Sequence, residues 1–310
     1  MKIYILPVSK ELRPDSQFYR YPQHNDDFGV EQDFYEYLLQ EKTLLVQDPA
    51  AADWHYLPVY WTRWHINHNY GQHGLQELQR QISKAMLDSK KTFTICQYDD
   101  GPVVKMGDAV IFLSSRTGIT GIDIPLLSSL HRKSMVIPKK KYRASFVGNL
   151  ESHSLRQKMN QALKDKKEVY IFDSHQQISR LRQWLRQAYI LLSFGNRSKF
   201  FVKKTLQSFI ALCPRGYGGS SFRLYEAMQL GVVPFLIGDI DTRPFKKFIN
   251  WNDISLYADT TTNIWERICL KTDQELLLMG QEAQRVYQEK LAYQKWCPYV
   301  LKELEHYGNY

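Results

Sequence analysis

From Cys213 to Asp239 the chain reads in order as a strand end, a glycine-rich loop, a helix, a tight turn and a second strand. Gly216, Gly218 and Gly219 let the backbone of that loop approach a ligand closely. Ser221–Leu230 is an apolar-periodic helix stopped by Gly231. Val232–Ile237 is the most apolar run in the chain, and it suits a central parallel strand buried on both faces. A segment of this kind is at home only in a parallel sheet covered by helices.

The same alternation runs through the rest of the chain. Strands are expected at Lys2–Leu6, Trp54–Val59, Thr92–Cys96 and Ala109–Leu113, and helices at Glu31–Gln40 and Leu75–Leu87, whose apolar residues recur at helical spacing. A boundary falls near Pro138–Tyr142, where Lys139, Lys140, Lys141 and Arg143 form a stretch expected to be solvated. Beyond it, strands at Ala144–Val147, Val169–Phe172 and Ile210–Leu212 alternate with a helix at Leu155–Leu163, and Asp273–Tyr307 reads as mostly helical. The expected architecture is therefore α/β in two halves: residues 1–138 and residues 139–310, with the last helix a candidate to pack back on the N-terminal domain.

Composition narrows the class. With 44% hydrophobic and 24% charged residues, wholesale disorder, a fibrous chain and a small disulfide scaffold are excluded. The longest apolar runs fall far short of the ~20 residues that span a bilayer, and the apolar start is cut by Pro7 and reads as a strand rather than a leader. A soluble, cytoplasmic chain is the expectation. Cys96, Cys213, Cys269 and Cys297 show no C-x-x-C spacing and are expected to be buried free thiols. The net charge of +9 favours anionic partners without choosing among nucleic acid, phosphorylated metabolites and an acidic membrane face.

The glycine-rich segment suggests its own chemistry. Ser220 or Ser221 can cap the helix, whose first N–H groups attract phosphate. Arg223 in the first turn adds a fork of donors suited to a diphosphate. Glu226 lies three residues on, on the same helix face, where a carboxylate can accept from two ribose hydroxyls. By spacing alone an Arg–Glu surface pair on a core helix is the favoured reading. Neither a P-loop nor G-x-G-x-x-G is present, so nucleotide hydrolysis and dinucleotide binding lose support.

The segment, with Pro214-x-Gly216, Ser221-x-Arg223-Leu224-x-Glu226-Ala227, Gly231-x-x-Pro234 and Asp239, resembles the signature of the exostosin family of glycosyltransferases. Downstream, Pro244-Phe245, Ile249, Trp251 and Ser255 fit the same pattern; upstream so do Ala144–Gly148 with Arg156, and a run from Glu31 to Tyr60 that includes Asp48-Pro49 and Ala52-Asp53-Trp54. The resemblance implies a GT-B fold, two Rossmann-like domains facing each other across a cleft, with the donor held mostly by the C-terminal one. It implies inverting transfer from a nucleotide diphosphate sugar, usually UDP-linked, as co-substrate, with no metal site and no cofactor required. Carried over, Arg156 and Arg223 hold the diphosphate, Glu226 the ribose, and Gly148 gives the phosphates room.

An inverting transfer needs a base on the acceptor hydroxyl. Where the family often has His-Asp-x-Gly this chain has Tyr98-Asp99-Asp100-Gly101, so Asp99 is the first candidate, Asp100 the second and His65 the third. A plain turn is the competing reading of Asp99–Pro102. Tyr60, Trp61 and Trp64 are candidates for stacking on an acceptor sugar, against the alternative that such rings fill core. His65, His68 and His73 lack the spacing of a familiar zinc site. The expected partners are a nucleotide sugar and a carbohydrate or glycan acceptor; the basic tract with Lys199, Lys203 and Lys204 could also meet a membrane-bound acceptor, but a solvated interdomain loop is the preferred reading of those lysines. Nucleic acid is not expected. A catalytically inactive, saccharide-binding or nucleotide-sugar-binding partner of another transferase is the alternative.

Overall fold

A computed structural model of the chain describes residues 1–15, 29–118, 120–128, 130–131, 138–175, 180–194 and 196–307. The chain forms two units, each with its own five-stranded sheet in which every pairing is parallel. Unit 1 comprises Met1–Ser129, Thr242–Ile249 and Lys290–Tyr310; unit 2 comprises Leu130–Asp241 and Asn250–Glu289. The division thus falls at residues 129/130 rather than 138/139. Two C-terminal stretches, 242–249 and 290–310, are counted with the N-terminal half. The reason is packing: the Phe245 and Phe248 rings lie tilted against Tyr299 at 5.4 and 5.7 Å, and Trp296 lies 5.9 Å from Phe34.

Unit 1 contains strands β1 (Ile3–Ile5), β2 (Trp54–Tyr56), β3 (Thr92–Cys96), β4 (Val110–Leu113) and β5 (Ile122–Asp123), adjacent in that order. A single parallel bridge from Ile3 to Leu45 extends the far side of β1. The sequence order across the sheet therefore reverses between β1 and β2. Helices α1 (Val30–Gln40), α2 (Trp61–Asn67) and α3 (Leu75–Ala85) connect the strands. The α2 segment was not legible as a helix, because Trp61, Trp64 and Ile66 are interleaved with histidines that are themselves buried or stacked.

Unit 2 contains β6 (Tyr142–Gly148), α4 (Ser154–Leu163), β7 (Val169–Asp173), α5 (Arg180–Phe194), α6 (Arg197–Leu206), β8 (Ser208–Pro214), α7 (Phe222–Leu230), β9 (Val233–Ile237), β10 (Leu256–Ala258), α8 (Ile264–Cys269) and α9 (Asp273–Val286). The strands lie in the order β7-β6-β8-β9-β10, a doubly wound order that reverses between β6 and β8. Phe146, Leu212, Phe235 and Ile237 lie in a core closed by Leu163, Ile268 and Leu276. Helix α10 (Cys297–Tyr307) belongs to unit 1. The basic stretch at 139–143 is less solvated than expected: Tyr142 opens β6, Lys140 donates to the Ser208 carbonyl at 2.6 Å, and Arg143 pairs with Asp273. All four cysteines are free, but Cys269 is exposed rather than buried.

Two glycines bring α9 against the turn that ends α7. Gly231 takes the left-handed conformation, φ 69°, as the C-cap of α7, a backbone state open to glycine without strain. A Cβ on Gly280 of α9 would lie 2.4 Å from the Gly231 carbonyl oxygen. That obstacle is backbone and cannot swing aside, so Gly280→Ala forces α9 off its seat. The expected cost is about 1–3 kcal/mol, read as a lowered melting temperature with the secondary structure retained.

Candidate donor and acceptor sites

The order reversal between β6 and β8 has a consequence for ligands. In open parallel sheets the connections on either side of a reversal leave in opposite directions, opening a crevice at the carboxyl ends of the two strands. In unit 2 those ends are Gly148 and Pro214, and the helices that follow them, α4 and α7, both begin at that edge. Two helix N-termini bring partial positive charge there.

Three arginines occupy the same edge. Arg223, in the first turn of α7, donates from Nε to the Val147 carbonyl at 2.8 Å and lies over the Phe146 ring at 5.1 Å. Its guanidinium lies against Gly148 so closely that a Cβ there would stand 2.2 Å from Nη2. Arg156, on α4 and 7% exposed, donates to the carbonyls of Asn149, Arg215 and Pro214 at 2.9, 2.9 and 3.3 Å. It fastens the end of β8 to the loop after β6, and Gly216 leaves it room, since a Cβ at 216 would stand 3.2 Å from its Nη2. Arg215, which sequence reasoning passed over, is buried, donates to the Tyr217 carbonyl at 2.8 Å and pairs with Asp239. Burial raises the Asp239 carboxyl, but the Arg215 hydrogen bond and charge outweigh it and hold the carboxyl below its usual value. His153, which caps α4 through Nδ1, is pushed down first by burial and then by Arg215.

Ser220 and Ser221 are both buried in the loop before α7. Ser221 is the N-cap residue in extended conformation, yet its hydroxyl makes no cap hydrogen bond. Ser221 Oγ and Arg215 Nε are buried with no hydrogen-bond partner among the described residues. A buried donor with nothing to donate to costs free energy. One of the two belongs to the N-cap of α7 and the other to Arg215, itself one of the three arginines at this edge.

Glu226 lies one turn further along α7. Its carboxylate meets His131 Nε2 at 3.0 Å, while the His131 backbone N–H donates to Gln229 Oε1 at 2.9 Å. The residue expected to receive a ribose is thus half of a histidine–carboxylate pair. His131 lies 95 positions away in sequence, and no local pattern announces it.

The residues expected on the acceptor side lie in unit 1. Tyr98–Gly101 forms a turn directly after β3, closed by the Gly101 N–H on the Tyr98 carbonyl at 2.9 Å, with Gly101 at φ 71°. Asp99 is half-buried in that turn, and exposed Asp100 accepts from Thr117 Oγ1 at 3.3 Å. The turn reading is therefore right as geometry, and it holds Asp99 at the carboxyl end of a parallel strand. His65 is fully buried beneath it: the ring stacks on Tyr98 at 4.4 Å, and Nε2 meets the Pro102 carbonyl at 3.1 Å. Burial pushes its pKa down to about 4, so it is neutral at physiological pH. The structure gives His65 a supporting place under the turn, not one where it meets a substrate.

The aromatic candidates are likewise interior. Trp61 is wholly buried and donates to Thr94 Oγ1 at 2.9 Å; Trp64 is buried and stacks on His68 at 3.9 Å; Tyr60 is 8% exposed. Trp61 and Trp64 belong to the core of unit 1. Large rings on α2 bury more apolar area facing inward than outward, and that is what decided their placement.

A second residue outside the sequence candidates supports the turn. Glu31 on α1 is 1% exposed, and its Oε1 accepts from Thr62 N–H, Thr62 Oγ1 and the Gln97 N–H at 3.2, 2.8 and 3.0 Å. It ties α1 and α2 to the residue just before Tyr98. Burial raises its pKa, against the lowering effect of those hydrogen bonds. Among the described residues no group of three or more His, Cys, Asp or Glu side chains is placed to hold a metal ion, and no helix is long and apolar enough to cross a membrane.

Unit 2 is thus a doubly wound parallel α/β unit whose switch point gathers three arginines and two helix N-termini. The Exostosin GT47 domain matches residues 98–264, more than half of the chain, and the chain belongs to that family. Among curated relatives, a probable glucuronosyltransferase of Oryza sativa subsp. japonica is 34% identical over 76 residues, covering 22% of this chain and 18% of that protein. A probable glucuronoxylan glucuronosyltransferase of Arabidopsis thaliana is 36% identical over 76 residues, covering 22% of this chain and 16% of that protein. The chain therefore matches less than a fifth of the length of either relative. Among solved structures, TarM has a TM-score of 0.36 at 10% identity over 72% of this chain and 56% of that one. Spinosyn rhamnosyltransferase SpnG, complexed with thymidine diphosphate, has a TM-score of 0.31 at 10% identity over 89% and 78%.

Two outcomes are expected from this geometry. Gly148→Ala displaces the Arg223 guanidinium and loosens its hydrogen bond to Val147, at a cost of about 1 kcal/mol measured as a lowered melting temperature. For Glu31, the folded carboxyl binds its proton more tightly than the unfolded one. Its contribution to stability is thus fully present below the unfolded value of about 4.3 and declines as pH rises through the raised folded value. Glu31→Gln removes that decline, so the difference in melting temperature between parent and variant changes across this window and is flat above it.

Proposed function

We propose that the chain is an inverting glycosyltransferase that moves a sugar from a nucleotide diphosphate sugar, most simply UDP-linked, to a carbohydrate acceptor in glycan or polysaccharide synthesis. Family membership supports sugar transfer, and the plant relatives named as glucuronosyltransferases support a glycan acceptor. The observation that carries the donor reading is the interlock of Arg223 with Gly148 at the switch point of unit 2, beside the unpartnered donors of Ser221 and Arg215.

In this reading the two units are the halves of a GT-B enzyme. The diphosphate lies against the N-terminus of α7, with Arg223 as its principal cation and Gly148 giving it room. Arg156, whose guanidinium already spans three carbonyls, holds the loop that receives the diphosphate and adds its charge. Glu226 turns from His131 to accept from the ribose hydroxyls. The acceptor hydroxyl oxygen attacks the anomeric carbon while the bond from that carbon to the diphosphate oxygen breaks. The pair of electrons leaves with the diphosphate, whose growing charge the guanidinium groups and helix N–H groups stabilise. The hydroxyl proton passes to the Asp99 carboxylate. Asp100, tied to Thr117, braces the turn.

Arg223→Ala is expected to weaken UDP binding by about 2–4 kcal/mol, whereas Asp99→Asn leaves UDP affinity within twofold and stops transfer. Calorimetry with UDP and release of UDP from a panel of nucleotide sugars, with and without glycan acceptors, measure the two separately. Normal turnover by the Asp99 variant removes that residue from the role of base, and unchanged UDP affinity in the Arg223 variant removes the diphosphate assignment. Glu226→Ala should bind UDP and 2′-deoxy-UDP with equal affinity, while the parent prefers UDP.

A further inference from the structure

Helix α5 departs from the pattern of an ordinary surface helix. Among its described side chains, Trp184, Leu185, Tyr189, Leu191 and Leu192 are all exposed, Trp184 by 64% and Leu192 by 88%. At about 100° per residue these five fall on one continuous arc, with Ala188 between them. Ile190, buried to 4% exposure, lies on the opposite side. The helix thus seats itself by a narrow inner stripe and turns its broad apolar face to solvent. Singly scattered apolar residues are normal on a protein surface, but a contiguous patch of this kind marks an interaction site.

Charge singles out the partner. From Ser174 to Tyr225 the sequence holds no Asp or Glu, while arginines and lysines recur through α5 and α6. Arg182 is exposed at the margin of the apolar arc. Helix α6 packs against the end of α5 through Phe194 and Phe200, whose rings meet edge-on at 5.0 Å. It brings exposed Lys199 and Lys203 alongside, with Lys203 Nζ 5.2 Å from the Phe194 ring. A second copy of the same face would bring cations against cations, which disfavours self-association. An anionic bilayer surface satisfies both features at once: leucines enter the acyl boundary, Trp184 and Tyr189 sit at headgroup level, and the flanking cations meet lipid phosphates.

We infer that α5, flanked by the cations of α6, is an interfacial helix that seats unit 2 on an anionic lipid surface. This inference does not rest on the donor-site reading. The test is flotation of the full chain with vesicles of phosphatidylcholine alone and of phosphatidylcholine with about 30% phosphatidylserine, at low and high salt. The parent is expected to float with the anionic vesicles, less so as salt rises, and poorly with neutral ones. A Leu191→Glu/Leu192→Glu double variant should lose about tenfold or more of that binding while its melting temperature and its affinity for UDP stay unchanged. The inference is overturned if the parent stays in solution with anionic vesicles, or if the double variant binds them as well as the parent. It is equally overturned if sedimentation shows the parent to be a dimer that the double variant dissolves, for then α5 covers itself.

Discussion

The close approach of the Arg223 guanidinium to the backbone of Gly148 is the contact on which the arrangement at the switch point of unit 2 depends. A side chain of any size at 148 would occupy the space of that guanidinium. With glycine there, the guanidinium of a residue on α7, a helix that follows β8 in the chain, can lie against the end of β6. The strand order supplies the reason for the meeting: β6 and β8 are neighbours on either side of a reversal, so the residues that leave them are delivered to one place. Arg156 then locks the floor of that place by reaching three carbonyls, that of Asn149 after β6 and those of Pro214 and Arg215 at the end of β8.

Unit 1 solves a related problem without an arginine cluster. Its candidate residue, Asp99, sits on a turn whose position is set by groups that no substrate reaches. Glu31 holds the residue before the turn, and His65 holds the carbonyl of Pro102 while its ring packs against Tyr98. Tyr98 stands where the family often has a histidine, and its broad ring provides the stacking surface for His65. The buried carboxylate is costly by itself. Its three hydrogen bonds to one oxygen account for its retention as a fastener between α1, α2 and the end of β3.

The aromatic-rich stretch from Trp54 to Tyr70 shows where pattern reading has to yield to packing. Trp61 and Trp64 were expected to offer faces to a sugar, yet both are core, and the exposed ring among those residues is Tyr70. The reverse happened on α5, where Trp184, Leu185, Leu191 and Leu192 would be assigned to a core by composition and are instead outside. In both cases hydrophobic content was plain from the residues, but the direction it faces depends on which neighbours the fold supplies.

What the residues determined unaided is local and short-range. Apolar runs located most of the strands, and the Pro214–Asp239 segment carried the position of α7 and its glycine-rich loop, because loop, cap and first turn are neighbours in the chain. The tertiary structure alone decided which distant groups meet there. Arg156 reaches Pro214 and Arg215 across 58 and 59 positions and His131 reaches Glu226 across 95, pairings created by strand order rather than by spacing. It also decided that the segments at 242–249 and 290–310 join the N-terminal unit. Their aromatic side chains have more buried surface to gain against one another and against α1 than periodicity along the chain can record.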